Sequence, residues 1–526
     1  MDTPHSGHPK RWTILGVLVV SLLVVVLDNT ILNVAMKTIA DPHRGLGASQ
    51  SQLEWAINSY TLVFAGLLFT AGVLGDRLGR KRMLLAGMSV FGLASLASAY
   101  AQSANQLVGA RALMGLGAAA IMPATLSIIS NVFDPRERGR AIGVWAGAVG
   151  LGVAIGPVVG GSLLEHFWWG SVFLINIPVV LIGLVGIVVL VPESRDENPA
   201  RPDPVGVLLS VLGLGVFVYG IITGGDSGDW GQPKVWASIL GGVAVLAAFV
   251  WYEGRIPHPA LDVQLFRDPR FSAAVAAVGL VFFSAMGVLF FSAFYLQMVR
   301  GYSPLQTGLL FLPFAAAQLV FAPRSASLVQ RYGPKAVCAG GLALVAVALA
   351  VFMVIKADTP IWVLCVAFGI QGIGMANVIP PATEAVMSAL PREKAGVGSA
   401  VNNTLRQVGG ALGVAALGSV LSQVYRSQMA SHLTGLSSEL RHTAAASISG
   451  SYAVAGQIGP DGHALIGQAN TAFVHAMHWT AGGAVITTVL GVAVVLRWLP
   501  ARSALHAAPA PLLIEPAVET PLVDVS

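Results

Sequence analysis

Two charged residues, Asp28 and Arg111, lie within long apolar stretches of this sequence. A charge near the centre of a lipid bilayer costs about 2.5 kcal/mol or more, so such residues are usually paired and often mark proton or ion pathways. Asp28 lies roughly 25 Å along a helix from Arg11, deep within an apolar run. We therefore predict that Asp28 pairs with Arg111. Two interpretations stay open, namely proton or cation binding at Asp28 and a purely structural ion pair.

A second set of polar and aromatic residues lies on other predicted helices. Glu384 follows two prolines, and Arg406 follows the run Asn402–Asn403–Thr404. These groups are costly in a bilayer unless they face a cavity or each other, so the sequence leaves open whether Glu384 couples protons or only pairs with Arg406. Aromatic rings can line a cavity for flat lipophilic ligands, although most aromatics in membrane helices pack or anchor at the interface. The candidate substrate-cavity residues are Tyr60, Phe64, Tyr295, Glu384, Asn402, Asn403 and Arg406.

Segment 72–82 combines glycine and charge between two apolar runs. Its candidate gating residues are Gly72, Asp76, Arg77, Gly79 and Arg80. Glycine permits a tight turn, and Asp76 is placed to cap a helix end or to pair with a basic group. We predict a gate that locks one side of the molecule, with a simple charged turn as the alternative.

Segment 143–161 is an apolar helix rich in glycine. Gly152, Gly156 and Gly160 share one helix face, whereas Gly161 falls on another. Small residues let helix backbones approach closely, and Pro157 removes a backbone hydrogen bond and can bend the helix. We predict a flexible helix at the interface between two halves of the molecule, with plain packing as the alternative.

The composition requires that these helices lie in a membrane. Of 526 residues, 55% are hydrophobic and 10% are charged, whereas soluble domains carry about 25% charged residues. So few charges cannot cover a soluble particle of this size. No enzyme signature and no Walker A motif occur, which argues against an enzyme and against ATP as the energy source. We expect no cofactor, no metal site and no nucleic-acid partner.

Fourteen runs are long enough to cross a bilayer, which takes about 20 apolar residues in a helix. The predicted spans are 12–36, 54–74, 83–101, 106–131, 140–163, 172–191, 204–223, 234–252, 272–298, 304–328, 335–355, 360–388, 397–423 and 473–496. With the N-terminus in the cytoplasm, the cytoplasmic segments hold 21 Lys and Arg residues and the other face holds 7, as the positive-inside rule requires. We expect both termini in the cytoplasm, a polar external loop over 427–468 and a disordered tail.

A short pattern, R-x-G-x-K, occurs at 77–81 after the second span and again at 331–335 after the tenth. Two six-helix halves with two helices inserted between them produce this spacing, and such repeats build transporters that rock about a midplane site. The predicted fold class is therefore an all-α membrane protein with about 14 transmembrane helices. The predicted regions are the cytoplasmic N-terminus 1–11, the first half 12–191, the inserted helices with their linkers 192–271, the second half 272–499 and the cytoplasmic tail 500–526.

These motifs resemble the major facilitator superfamily and, within it, the fourteen-span drug:proton antiporter family, over nearly the whole chain up to about Leu499. Residues 72–82 are similar to the superfamily's loop 2–3 motif, 111–117 to its span 4 arginine motif, and 152–161 to its antiporter motif G-x-x-x-G-P-x-x-G-G. Signatures of the fourteen-span branch are resembled at 27–35, 169–178 and 402–410. The resemblance implies a major facilitator fold and a role for Asp28 and Arg111 in proton coupling.

The sequence departs from the family's pattern at five positions. Lys37 stands where the family usually has Pro, and Met114 where it usually has Gln. Asn58, Asn402 and Asn403 stand where some quaternary-ammonium exporters carry acidic residues. Fewer membrane carboxylates are then available to attract cations, which argues against a dicationic substrate.

Together these features predict a proton-coupled antiporter that exports lipophilic, including cationic, drugs or antibiotics by alternating access. The expected partners are a small lipophilic substrate, protons and the lipid of the cytoplasmic (inner) membrane, and we expect a monomer. One alternative is an exporter of a specific endogenous metabolite, lipid or siderophore. A membrane receptor or scaffold is less favoured, because it gains nothing from charges within lipid.

Overall fold

The computed structural model describes residues 8–195, 203–256, 263–388, 395–459, 462–499 and 501. Within these ranges every regular element is a helix, and no strand occurs. Helices suit so apolar a chain, because in lipid each backbone N–H and C=O group must be satisfied within its own segment. The predicted all-α fold class is confirmed.

The first half contains seven helices. They are α1 (Arg11–Ala40), α2 (Gln50–Leu78), α3 (Arg80–Ala99), α4 (Ala104–Val132), α5 (Pro135–His166), α6 (Ser171–Leu174) and α7 (Asn176–Leu190). A capping box starts α2, in which the Ser49 hydroxyl accepts from the Gln52 backbone and the Gln52 side chain accepts from the Ser49 backbone. This exchange satisfies donors that are otherwise unpaired at a helix start. Helices α6 and α7 are two parts of one apolar crossing.

The inserted pair is α8 (Pro204–Ser227) and α9 (Pro233–Glu253). The second half follows with α10 (Pro269–Phe294), a π-helical turn (Tyr295–Val299), α11 (Pro304–Leu310), α12 (Leu312–Val351), α13 (Ile361–Ala376), α14 (Ile379–Ser388), α15 (Ala395–Met429), α16 (Ser438–Ala446), α17 (Ile448–Ile458) and α18 (Gly462–Trp498). Short 3₁₀ turns at Val263–Arg267 and Ala430–His432 precede α10 and α16.

Many of these helices can cross a membrane. In the described part of the chain, 11 helical segments are long and apolar enough, and the bent helix α2 makes up to 12. One of the 11, Pro304–Val351, has 48 residues, and two helices meet within it at the non-helical Gly333. Several side chains of α5 lie outside the described residues. The prediction of a many-span protein is confirmed, whereas the number fourteen stays a prediction.

The helix ends define two faces of the molecule. The basic face holds the start of α1 and the turn between α2 and α3, and the opposite face holds the connections 41–49 and 100–103. Gly79, in the α2–α3 turn, has a φ of 114°, and Gly333, at the corresponding place in the second half, has a φ of 82°. Both angles lie where glycine is favoured over residues with a side chain. The repeated R-x-G-x-K pattern therefore makes a similar backbone turn in both halves.

Segment 427–468, which we predicted as a polar loop, is largely helical. It holds the end of α15, all of α16 and α17, and the start of α18. Helices α16 and α17 each begin at a serine cap, and Ile448 and Val454 are buried. The Tyr452 hydroxyl donates to the Met298 carbonyl at 2.8 Å. The segment thus packs on the second half. We did not predict its short capped helices because its Ser- and Ala-rich composition is also typical of a loop.

The inserted pair packs through glycine and lies against both halves. A Cβ added at Gly242 of α9 would lie 2.5 Å from the backbone nitrogen of Phe217 on α8. The Ser419 hydroxyl of α15 donates to the Ile221 carbonyl of α8 at 2.9 Å, and α8 also packs on α2. Exposed apolar side chains such as Leu240 cover the outer surface of α9, as a lipid-facing helix requires. Helix α8 therefore covers the α2–α15 seam, where the two halves meet.

Candidate functional site

Asp28 of α1 and Arg111 of α4 form a buried ion pair in the first half. Arg111 Nη1 donates to Asp28 Oδ2, and each side chain is only 1% exposed. A pair this deep is stable only when its remaining polar atoms also find partners. Arg111 Nε accordingly donates to the Ala56 carbonyl of α2 at 3.1 Å. The structure thus forms the predicted pair and joins it to a third helix.

Tyr60 completes the surroundings of the guanidinium. The Arg111 Cζ lies 4.4 Å from the centroid of the Tyr60 ring, and this cation–π contact gains strength where water is excluded. The Tyr60 hydroxyl accepts a hydrogen bond from Asn29 Nδ2 at 3.0 Å. The Phe64 ring lies 5.9 Å from the Tyr60 ring, centroid to centroid. Both rings are buried, so in this state these two predicted cavity residues belong to the environment of the ion pair.

Two residues that we did not predict support Asp28 from the other side. Asn176 Nδ2 donates to Asp28 Oδ1 at 3.4 Å and to Ser95 Oγ at 3.0 Å. The Ser95 hydroxyl itself donates to the Phe173 carbonyl at 2.9 Å. Ile175 separates α6 from α7, and Asn176 is the buried first residue of α7. An amide in an apolar run was visible in the sequence, but the helix that it contacts was not.

Met114, which stands where the resembled family usually has Gln, lies below the pair. Its Sδ is 3.8 Å from Arg111 Nη1 and accepts from the Ser98 hydroxyl at 3.3 Å. A thioether is a weak acceptor, whereas an amide oxygen is a strong one. Neutralisation of the guanidinium therefore depends mainly on the single carboxylate of Asp28.

The α2–α3 turn at the basic face is held by charge. Arg80 Nε donates to Asp76 Oδ1 at 2.8 Å. A Cβ added at Gly79 would lie 2.6 Å from the Glu193 carboxylate, which also accepts from the backbone nitrogen of Lys81 at 3.1 Å. Glu193 follows α7 directly, and its place in the turn had no signal in the sequence beyond its charge. It ties the end of the first half to the turn.

Two of the predicted gating residues lie apart from this cluster. Arg77 is exposed at the basic face. Gly72 faces α4, where an added Cβ would make an ordinary contact of 3.6 Å with Pro123. The structure therefore brings Asp76, Gly79 and Arg80 together and leaves Arg77 and Gly72 outside the contact.

Helix α5 packs on α1 through the predicted glycine face. A Cβ added at Gly152, Gly156 or Gly160 would lie 2.8 Å, 1.9 Å and 2.7 Å from side-chain atoms of Val26, Thr30 and Ile31, respectively. No side chain fits at the middle position unless α1 moves. Because α1 also carries Asp28, this glycine face sets the distance between the buried carboxylate and α5.

The other face of α5 contacts the second half. A Cβ added at Gly161 would lie 2.5 Å from the Leu305 Cα, and one added at Gly308 would lie 2.2 Å from the Pro157 carbonyl oxygen. Both contacts join α5 to α11 near the opposite face. Helix α5 thus lies between α1 and the second half, as the two glycine faces predict.

The polar candidates of the second half occupy α14 and α15. Asn402 Nδ2 donates to Thr383 Oγ1 at 3.0 Å. The Arg406 Cζ lies 5.5 Å from the centroid of the Phe282 ring, and Glu384 is exposed. None of the ion pairs among the described residues joins Glu384 to Arg406. The pair that the sequence allowed is therefore absent in this state.

Tyr295 and Asn403 complete the predicted cavity set. Tyr295 is fully buried, and its hydroxyl donates to the Lys356 carbonyl at 2.6 Å. It is the first residue of the π-helical turn and offers no surface to a ligand here. Asn403 is partly exposed beside Asn402.

Several proteins of similar sequence are efflux or resistance proteins by name. The chain is 36% identical to the multidrug efflux pump LfrA of Mycolicibacterium smegmatis, over 87% of this chain and 91% of that protein. It is 35% identical to the tetracenomycin C resistance and export protein of Streptomyces glaucescens, over 80% and 78% of the two chains. It is 32% identical to the methyl viologen resistance protein SmvA of Salmonella typhimurium, over 91% and 96%.

A solved structure shares the fold at low identity. A bacterial homologue of the human lysosomal transporter Spinster, in an inward-facing and unoccupied conformation, superposes with a TM-score of 0.67 at 17% identity, over 96% of this chain and 100% of that one. The family model of the Major Facilitator Superfamily matches residues 18–414. This chain therefore belongs to the Major Facilitator Superfamily and is a multi-pass membrane transporter, not an enzyme.

Proposed function

We propose that this transporter exports lipophilic, including cationic, drugs or antibiotics from the cytoplasm in exchange for protons. The observation that carries the proposal is the buried Asp28–Arg111 pair, because an intramembrane carboxylate beside a guanidinium can exchange a proton for an ion pair. The names of the similar proteins support the drug part of the proposal. The excess of Lys and Arg on the basic face supports a cytoplasmic orientation of that face and of both termini.

The state described has the geometry of a transporter closed to the outside. The α5–α11 contacts lie near the opposite face, which is external in the proposed orientation. We propose that in this state Asp28 has released its proton and holds Arg111. Drug enters from the cytoplasm, and the halves then rock so that the external side opens.

A proton from outside resets the cycle. When it neutralises Asp28, the charge–charge attraction to Arg111 is lost, and the arginine keeps its bond to the Ala56 carbonyl and its contact with Tyr60. Helix α1 is then less tightly held to α4. Since α1 is packed directly on α5, and α5 on the second half, a small shift at Asp28 changes the interface between the halves.

We propose that the drug contacts Glu384, Asn402, Asn403 and Arg406. The exposed Glu384 carboxylate suits a cationic group, and the Arg406–Phe282 stack offers a flat surface. The similar protein SmvA is named for resistance to methyl viologen, a dication. Because this chain has Asn at positions 58, 402 and 403, we propose that it prefers monocations or neutral lipophiles.

The test is drug-dependent proton flux in vesicles that hold the purified protein. Asp28→Asn keeps the shape of the side chain and removes its charge, so we expect correct insertion, retained drug binding and loss of coupled flux. Glu439→Gln, on the exposed surface of α16, is the matched control and should behave as the wild type. Full flux in Asp28→Asn would refute the coupling role.

Cells supply the test of substrate class. Ethidium efflux that stops on addition of a protonophore supports proton-driven drug export. An inserted protein that moves no dye or antibiotic, and whose flux responds to one metabolite of the cell, would instead identify an exporter of an endogenous compound.

A further inference from the structure

A second carboxylate is buried in the first half, at Glu54 of α2. It is 2% exposed, and it lies one helical turn after Gln50, about 6 Å along the axis from the start of α2 at the opposite face. The Gln50 Nε2 donates to Glu54 Oε1 at 3.3 Å. Glu54 is therefore buried close to one face of the membrane, whereas Asp28 lies deep within it.

The carboxylate of Glu54 lies on the boundary between the two halves. A Cβ added at Gly418 of α15 would lie 2.3 Å from Glu54 Oε1, so the carboxylate rests directly on the backbone of the second half. A side chain at position 418 would displace the Glu54 carboxylate from this place. Glu54 is thus part of the α2–α15 seam, which must open when the external side opens.

The charged groups around Glu54 leave its carboxylate without an ion-pair partner among the described residues. Asp226 of α8 is close enough to repel it, and Arg426 of α15 is turned to the Asp226 backbone carbonyl. Arg111 of α4 is engaged in the buried pair described above. Lys37 of α1 donates to a backbone carbonyl of the second half.

We propose that Glu54 is a second proton-binding residue, which takes a proton from external water and holds it while the α2–α15 seam is closed. A carboxylate removed from water without a bonded cation is strongly disfavoured in its ionised form, so closure of the seam requires the neutral acid. When the seam opens, water solvates the carboxylate and the O–H bond is broken, with the proton returned to the external side. External acid therefore closes the outer gate. The assignment of this face to the outside rests on the proposed function, whereas the contact between Glu54 and Gly418 does not.

A reporter cysteine measures the seam directly. Ser422 of α15 is buried, one turn beyond Gly418, and Ser422→Cys is made with Cys338 and Cys365 replaced by Ala. A membrane-impermeant maleimide is added outside intact cells. Labelling is expressed at each pH relative to that of an exposed reference cysteine, Gly435→Cys, which cancels the ionisation of the thiol itself. We expect this relative labelling to rise about fivefold or more between about pH 5.5 and about pH 8.5, because release of one proton shifts the population toward the open seam.

Variants at position 54 test whether Glu54 causes the pH dependence of labelling. Glu54→Gln imitates the protonated acid, so labelling relative to the reference cysteine should be low and independent of pH. Glu54→Asp keeps a titratable group and should keep a pH dependence. The control is Glu165→Gln, an exposed carboxylate near the same face, which should leave the profile unchanged. A wild-type profile in Glu54→Gln would overturn the proposal.

A change on the other side of the seam tests the same contact independently. Gly418→Ala should displace the carboxylate and raise labelling at acid pH by about fivefold or more, since the closed seam loses its fit. Unchanged labelling would contradict the proposed contact. The Asp28→Asn variant separates the two proposals, because it should lose coupled flux and keep the pH-dependent labelling. If Asp28→Asn keeps its flux, the proton-coupling role fails while the labelling still decides the role of Glu54.

Discussion

Lys37 Nζ of α1 donates to the Gln297 backbone carbonyl at 2.6 Å, and Gln297 Nε2 returns a hydrogen bond to the Val34 carbonyl at 2.9 Å. The π-helical turn makes this exchange possible. The backbone bonds that end the turn go to the carbonyls of Tyr295 and Leu296, which leaves the Gln297 carbonyl for the lysine. The residue that departs from the resembled family's usual proline thus fastens one half of the transporter to the other.

Replacement of this lysine should open the external side. Lys37→Met keeps most of the side-chain volume and removes a charged hydrogen bond, which is worth about 1.5–3 kcal/mol. We expect the population open to the outside to rise about tenfold or more. The measurement is external maleimide labelling of the Ser422→Cys reporter, with Lys234→Met, an exposed lysine at the start of α9, as the control. Equal labelling of the two variants would show that the contact does not hold the gate.

Loss of Arg111 alone should destabilise the protein more than loss of both charges of the buried pair. Arg111→Met leaves Asp28 buried without its cation and should cost about 3–5 kcal/mol of stability. The double variant Asp28→Asn/Arg111→Met removes both charges and should recover much of that loss. Thermal unfolding in detergent measures the recovery, and proton flux should stay absent in both variants. A double variant less stable than Arg111→Met would contradict the ion pair as the dominant contact.

The glycine face of α5 should accept no methyl group at its centre. Gly156→Ala places a Cβ where Thr30 Oγ1 now lies, and such overpacking costs about 1–3 kcal/mol. We expect a lower unfolding temperature and slower export. Gly109→Ala on α4 is the matched control, because nothing lies within 4 Å of an added Cβ there. If both variants behave alike, α5 and α1 are not in fixed contact during transport.

Replacement of glycine by alanine should destabilise the protein to a similar extent at the two repeated turns. Gly79→Ala and Gly333→Ala each force a side chain onto a positive φ, at a cost of about 1–3 kcal/mol. Gly75→Ala is the control, because an added Cβ there makes only an ordinary contact of 3.6 Å with Met83. Unfolding temperatures of the three variants provide the comparison. Stability of Gly333→Ala equal to that of the control would deny the equivalence of the turns.

The all-helical membrane fold and the Asp28–Arg111 contact were predictable because each follows from the free-energy cost of polar groups in lipid, and the sequence shows where those groups lie. Long apolar runs have few stable forms in lipid, and two isolated charges in such runs have few partners. Other features depend on how helices face each other. Glu54 reads as an ordinary acidic residue near a helix start, and only its packing on Gly418 shows that it lies in the seam.

Tyr295 shows a different limit of prediction. The sequence does not show which side of its helix the Tyr295 side chain occupies, and we predicted that it lines the cavity. The structure instead buries the ring fully and places its hydroxyl on the Lys356 carbonyl. The residue types in 295–299 do not signal this burial, because the partners Lys37 and Lys356 come from distant parts of the chain.

The turns at Gly79 and Gly333 share a backbone conformation and the R-x-G-x-K pattern, but they differ at the positions that form an ion pair. Where the first turn has Asp76 and Arg80, the second has Gln330 and Pro334, so only the first can form the ion pair seen at the basic face. Salt at the basic face can therefore weaken the ion pair of the first turn, whereas the second turn has no ion pair at these positions to lose. Two turns of matching backbone thus respond unequally to the same ionic environment, although both require glycine.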